Sequence, residues 1–275
     1  MNFQHKLLYI GESLNASIPR IKEAVTSRDE KTIKDLATEQ EKCGAHMLDV
    51  NAAVPSGNEA EDLVWMVELV QGVTKLPLVL DSSSPEALQA ALKVYQGPTP
   101  IISSITGEWI EGHEDLLSLA VEHNCGLVVM CMDKQGISPD PKKRFEIAES
   151  LVERTTKAGL TPENLYIDPL VMTISADTKA GAAFLNLLKM LDDSLPMVHK
   201  FCGASNVSFG MPLRKLINHT FIPMIVALGM DAFLVNVRDQ GLMAIFKACA
   251  TLIGQDEWSM EYIRAFREGK LEGKK

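Results

Sequence analysis

Positive charge is in short supply in this chain. Lys and Arg number 27 against 36 Asp and Glu, a formal net charge of −9 over 275 residues. Binding to a phosphate backbone needs a basic footprint, so no nucleic-acid partner is expected. Cysteine is also scarce: five residues, at positions 43, 125, 131, 202 and 249, with no C-x-x-C pair. An odd number without a secretory signal reads as reduced thiols in a cytoplasmic protein, not as a disulfide framework. Long hydrophobic runs are missing too. The longest, Phe221 to Met230, carries Pro223 and Gly229 and stops at Asp231, well short of the roughly 20 residues of a membrane span. The six histidines form no i, i+4 pair, and His199 with Cys202 is one H-x-x-C unit without a second half. Both read as core of a seventh strand, and the chain is expected to bind no metal of its own.

Against these absences stands a regular rhythm. Apolar runs recur as KLLYI (6–10), HMLDV (46–50), LPLVLD (76–81), PIIS (100–103), GLVVMCM (126–132), LYID (165–168), MVHKFCG (197–203) and AFLVNV (232–237). Four to seven nearly continuous apolar residues are the mark of a parallel strand buried on both faces. Amphipathic stretches lie between them, with proper ends. Ser84-Pro85-Glu86 is a helix start, with a capping hydroxyl, proline in the first turn and an early acid. Gly44 and Gly159 stand where helices should stop.

Eight such repeats fit one α/β domain, a (β/α)₈ TIM barrel spanning 1–275, with a polar tail from about 256 that could hold a last helix at 260–266. An open doubly wound sheet is the alternative. It usually carries a glycine-rich fingerprint after its first strand; Gly11-Glu12-Ser13-Leu14-Asn15 stands there instead.

In a barrel of this kind the active site lies at the C-terminal ends of the strands. Small polar or acidic residues stand at those ends here: Glu12 and Asn15, Asp49 and Asn51, Asp81, Ser103 and Ser104, Asp133, Asp168, Ser205 and Asn206, Asn236 and Asp239. Helix capping is the plain explanation, and for Asp49 and Asp133 capping or loop structure has at least equal force. It is weaker for Asp81 and Asp168, which follow directly on apolar strands. Carboxylates with few basic neighbours call for a ligand rich in N–H groups. A pterin has such an edge, which one carboxylate can accept in bidentate fashion. Met130, Met132, Met172 and Met211 could face a flat ligand, though packing is the simpler role. Trp65 and Trp109 read as surface residues, and Cys125 and Cys131 as buried near the fifth strand.

Five segments, in order and at barrel-unit spacing, carry a family resemblance: Gly11–Asn15, Gly44–Asn51, Leu80-Asp81-Ser82, Leu165–Pro169 and Gly203–Ser208. Through them the chain resembles the methyltetrahydrofolate:corrinoid methyltransferases, of the pterin-binding barrel superfamily that also holds dihydropteroate synthase. The resemblance implies methyl transfer between N5 of tetrahydrofolate (or 5-methyltetrahydrofolate) and the cobalt of a corrinoid, a cobalamin carried by a partner protein. It implies a homodimer as well. By position, Asp81 and Asp168 match the acids that hydrogen-bond the pterin, and Asn206 the asparagine near N5. Gly203 and Ser205 match the same loop, Arg214 an arginine that follows it, and Asn15, Asp49 and Asn51 further positions at the mouth. Ser103 replaces a common asparagine, and a hydroxyl cannot present donor and acceptor together as an amide does; a water or Ser104 could take over that contact. A dihydropteroate synthase would need a Ser-Arg-Lys loop on strand seven, where Ser205-Asn206-Val207 stands. A non-catalytic folate-binding subunit is the other reading to separate by turnover.

Overall fold

The computed structural model describes residues 4–55, 57–107 and 114–271. Eight parallel strands close a barrel in sequence order: β1 (Leu8–Asn15), β2 (Met47–Asn51), β3 (Leu78–Asp81), β4 (Ile101–Thr106), β5 (Gly126–Met130), β6 (Leu165–Asp168), β7 (His199–Gly203) and β8 (Ala232–Val235). Ten helices are found among the described residues. They are α1 (Pro19–Ser27), α2 (Glu30–Lys42), α3 (Glu59–Gln71), α4 (Pro85–Val94), α5 (Glu114–Glu122), α6 (Pro141–Lys157), α7 (Ala180–Ser194), α8 (Arg214–Val226), α9 (Gln240–Leu252) and α10 (Met260–Arg267). None of them is long and apolar enough to cross a membrane. Cys43, Cys125, Cys131, Cys202 and Cys249 are free thiols, all but Cys43 buried.

Local chemistry sets the helix ends. Ser84 accepts the Ala87 amide at 3.2 Å, with Pro85 in the first turn. Past α2 and α6 the chain turns through Gly44 at φ 96° and Gly159 at φ 109°, a backbone region that side chains resist.

Each expected run contains a strand, but several ends differ. β1 runs on to Asn15 instead of stopping at Ile10, because pairing with β2 resumes after a register shift between Gly11 and Leu14. β4 likewise continues past Ser103, across a shift between Ile102 and Ile105. β5 and β8 stop early. The Met132 amide bonds back to Met130 and that of Val237 to Val235, at 2.8 and 3.0 Å, so tight turns replace the last expected strand residues. β7 begins at His199, since Val198 still bonds into the turn after α7. Trp65 is half-buried in α3 beneath the Arg28 guanidinium, and Trp109 lies outside the described residues.

The barrel interior explains the site. Ile10, Met47, Val79, Ile101, Val128, Phe201 and Ala232 pack together inside, with Tyr166 against them. Side chains alternate along a strand, so the next inward position is two residues on. Those positions are Glu12, Asp49, Asp81, Ser103, Met130, Gly203 and Leu234, with Asp168 above Tyr166. An apolar plug is thus topped by a largely polar level at the C-terminal mouth. The outward-facing strand residues, Leu48, Leu80, Ile102, Val129 and Ile167 among them, pack under the helices.

Candidate active site

The acids of the mouth sit close together with few donors. Asn51 donates from its amide to Asp81 Oδ2 at 3.0 Å, and Ser103, the register partner of Asp81 on β4, hydrogen-bonds the same carboxylate. Ser103 therefore braces an acid. Burial pushes the Asp81 carboxyl up, and Glu59 adds like charge. Asp49 is 2% exposed and bonded by Asn15, yet its Oδ2 is buried with no partner among the described residues. Burial and the neighbouring Asp81 hold it well above the usual carboxylate range. Asp49 caps no helix, so the capping explanation does not apply to it. Loop structure accounts for Asp133, which accepts the Gln135 amide in a turn and pairs with Lys143, and capping for Asp239, which caps α9 through the Leu242 amide.

Asp168 ends β6, recessed in the mouth. Among the described residues its one donor is the Leu170 amide, at 2.8 Å to Oδ1. Burial raises its pKa to about 7, against the opposing pull of that amide and of Arg144. Arg144, 1% exposed on α6, donates from Nη1 to the Pro169 and Leu170 carbonyls at 2.8 and 3.0 Å. Leu170 takes φ 62°, a conformation that costs a non-glycine residue about 1–3 kcal/mol. The two arginine bonds hold that turn and, through it, the acid. Sequence reasoning passed over Arg144 because Lys142-Lys143-Arg144 reads as a solvated helix start. The burial that would have exposed its role depends on distant chain.

On the neighbouring strand, a short 3₁₀ turn at 204–208 follows β7. The loop after β6 is laced to it: the Ile174 amide reaches the Val207 carbonyl at 3.0 Å, and the Thr173 hydroxyl the Phe209 carbonyl at 2.6 Å. Arg214 donates from Nε to Ser208 Oγ at 3.0 Å and from Nη2 to the Ser205 carbonyl at 2.8 Å. In this state Arg214 braces the loop. Asn206 is exposed, and its amide nitrogen would lie 3.2 Å from a Cβ added at Gly203. A side chain at position 203 would crowd the Asn206 amide, which would have to give by a few tenths of an ångström. Glu12, half-buried and pushed up by burial against the pull of Arg214 and Arg238, lines a cavity of about 240 Å³ with Ser205, Arg214, His219, Asn236 and Asp239. Met130, Met132, Met172 and Met211 are all half-buried.

The mouth therefore offers acceptors in excess, with an exposed amide on the strand next to Asp168. Buried acceptors without donors are costly unless a ligand supplies them. Raised carboxyl pKa values in a cleft are a common mark of functional sites.

Comparison with known proteins bears on what fills this mouth. Residues 11–245 match the model of the pterin binding enzymes. The chain is 34% identical over 267 residues to the methylcorrinoid:tetrahydrofolate methyltransferase of Eubacterium limosum, covering 96% of this chain and 98% of that protein. It is 29% identical to the methionine synthase of Mycobacterium leprae over 84% of this chain, which is 20% of that longer enzyme. Among solved structures, the dihydropteroate synthase of Xanthomonas albilineans in complex with 7,8-dihydropteroate superposes with a TM-score of 0.68 at 17% identity, covering 94% of this chain and 96% of that one. That likeness shows the fold alone.

Proposed function

The chain belongs to the pterin-binding enzymes, and we propose a specific task for it within that family. It is a methyltransferase that moves a methyl group between N5 of tetrahydrofolate and the cobalt of a corrinoid. The observation that carries the pterin reading is the set of recessed acids with idle oxygens, Asp49 and Asp168 above all. A pterin presents an amidine-like N–H and NH₂ edge, and ionised carboxylates accept such pairs strongly.

Asp81 and Asp168 take that edge, and Asn51, Ser103 and Arg144 hold the two acids in place. Asp49 and Asn15 extend the acceptor network beneath. Gly203 leaves room for the Asn206 amide, and Ser205 with Arg214 fixes the loop that carries it. A tertiary amine leaves poorly, so donation or proton sharing at N5 must strengthen in the transition state. An amide serves both directions, because it can donate or accept without a pKa of its own. The corrinoid, carried by a partner protein, supplies the cobalt that gives or takes the methyl group. That partner must approach over the mouth, where Phe209 and Leu213 are 66% and 74% exposed beside Asn206. A homodimer in the cytoplasm completes the reading, and sedimentation equilibrium tests the dimer.

The deciding experiment mixes the protein with free cob(I)alamin and 5-methyltetrahydrofolate under anaerobic conditions and follows the cobalt spectrum. Conversion to methylcobalamin that depends on the protein and is lost in Asp168→Asn is the expected result. Folate binding without conversion, by either the free or a protein-bound corrinoid, would make the chain a carrier. Loss of both would sink the pterin reading.

A further inference from the structure

A second cluster of ionisable groups lies at the opposite end of the barrel. His199 opens β7, Asp231 directly precedes β8, and His5 lies just ahead of β1. One potential ligand atom from each comes within 4.8 Å of the others. The two imidazole rings have centroids 3.9 Å apart, and His199 Nδ1 contacts Asp231 Oδ2 directly. Packing alone does not account for this group, because His5 Nε2 is buried there with no hydrogen-bond partner among the described residues.

The surroundings hold each of the three in place. The Lys200 amide donates to Asp231 Oδ1 at 2.7 Å, leaving Oδ2 turned to the histidines. The His5 ring bonds the Pro196 backbone, and Tyr166 stacks on His199 at 4.4 Å. Partners of this kind orient metal ligands. Gln255 clamps the segment that presents His5, accepting from the Leu7 amide at 3.0 Å and donating to the His5 carbonyl at 2.6 Å. The nearby Lys200 ammonium is neutralised by Asp192 at 3.1 Å. A cavity of about 10 Å³ adjoins, lined by His5, Lys200, Asp231 and Gln255, about the room that one water needs.

We propose that His5, His199 and Asp231 bind one zinc ion at the barrel floor, with water as fourth ligand. Two imidazoles and a carboxylate suit zinc, whereas calcium and magnesium prefer all-oxygen sets. Ligands about 2.0–2.1 Å from a tetrahedral ion lie roughly 3.4 Å apart, so small side-chain rotations complete the site. The ion ties the start of the chain to β7 and β8 at the seam where the barrel closes. Its role is structural, and it stands apart from methyl transfer at the mouth.

The test uses chelator-treated full-length protein, zinc chloride, and the variants His5→Gln and His199→Gln. Wild type should retain one zinc per chain after desalting and gain roughly 5 °C in Tm at a hundredfold excess over Kd. In competition with a chromophoric chelator, His5→Gln should lose affinity by at least about 100-fold, with circular dichroism and methyl transfer unchanged. His5 lies outside the strands, so this variant decides the matter even if His199→Gln folds poorly. No retained zinc in wild type, or equal retention in His5→Gln, would overturn the site.

Discussion

At the mouth of the barrel, among the described residues, Asp49 keeps a buried oxygen with no partner and Asp168 has one amide donor. At the floor, Asp231 has both oxygens engaged, one by the Lys200 amide and one by His199, while Lys200 itself is paired with Asp192. The same strands run through both ends, so the difference does not come from the fold. It comes from which inward positions were given acids without donors. The floor pairs its acids within the chain, and the mouth leaves carboxylate oxygens without donors among the described residues. Such a division is expected where activity and stability compete for residues. His5 is the exception at the floor, with a nitrogen as idle as any oxygen at the mouth.

The comparison breaks most visibly if the mouth acids are removed. The double variant Asp81→Asn, Asp168→Asn replaces two ionised acceptors by amides. It should lose about 2–5 kcal/mol of tetrahydrofolate binding, the cost of leaving the pterin N–H edge badly paired. Isothermal titration measures this, and an unchanged Kd would remove both acids from the site. Next comes Asn206→Ala, expected to lower turnover about 100-fold while Kd moves by less than about threefold. A large affinity loss with normal turnover would make Asn206 a binding residue only. Asp231→Asn should act on stability and leave turnover alone, at about 1–3 kcal/mol in urea unfolding, since it disrupts a satisfied network.

Much of this contrast was legible from the chain. Eight apolar runs located eight strands, and the acids at their ends marked the mouth, because the period of a strand places i and i+2 on one face. Ser84 and Gly159 marked helix ends through local chemistry that needs no distant partner. What escaped notice depended on contacts far apart in sequence. Ser103 bonds Asp81 across two strands, Arg144 reaches Pro169 from another helix, and His5 meets residues 199 and 231. The extension of β1 past Ile10 was hidden for a similar reason, since a register shift is a property of the pair and not of one strand. Asp49 stood between capping or loop structure and a place in the mouth, and its position inside β2 excludes the cap.

A pH series sharpens the comparison. Burial raises the Asp168 carboxyl from 3.8 to about 7. A folded-state pKa above the unfolded one means that the native state binds the extra proton between those values. Stability from this group is therefore present below about pH 4 and lost as pH rises through about 7. Under the proposed function ligand binding runs the other way, because a pterin edge held by Asp168 needs the ionised acceptor. Below about pH 7, Kd for tetrahydrofolate should rise by up to about tenfold per unit. Asp168→Asn should bind weakly with that slope gone. A slope that persists in the variant would assign the titration to another group.

The smallest effect is the most pointed. Asp49 is buried beside Asp81, bonded by Asn15, with Oδ2 unpaired among the described residues. Asp49→Asn removes the like-charge contact and the burial of an ionisable group, and it keeps the size of the side chain. It should raise the stability of the unliganded protein by about 1 kcal/mol, or roughly 2–4 °C in Tm for a chain of this size, with weaker folate binding as its counterpart. The same exchange at Asp231 is expected to move Tm downward. Opposite signs for one chemical change at two ends of a barrel would establish that the mouth holds its acids at the expense of the fold. A loss of Tm in Asp49→Asn would instead mean that this acid is already satisfied by protein or water, and the pterin would then have to find its acceptors at Asp81 and Asp168 alone.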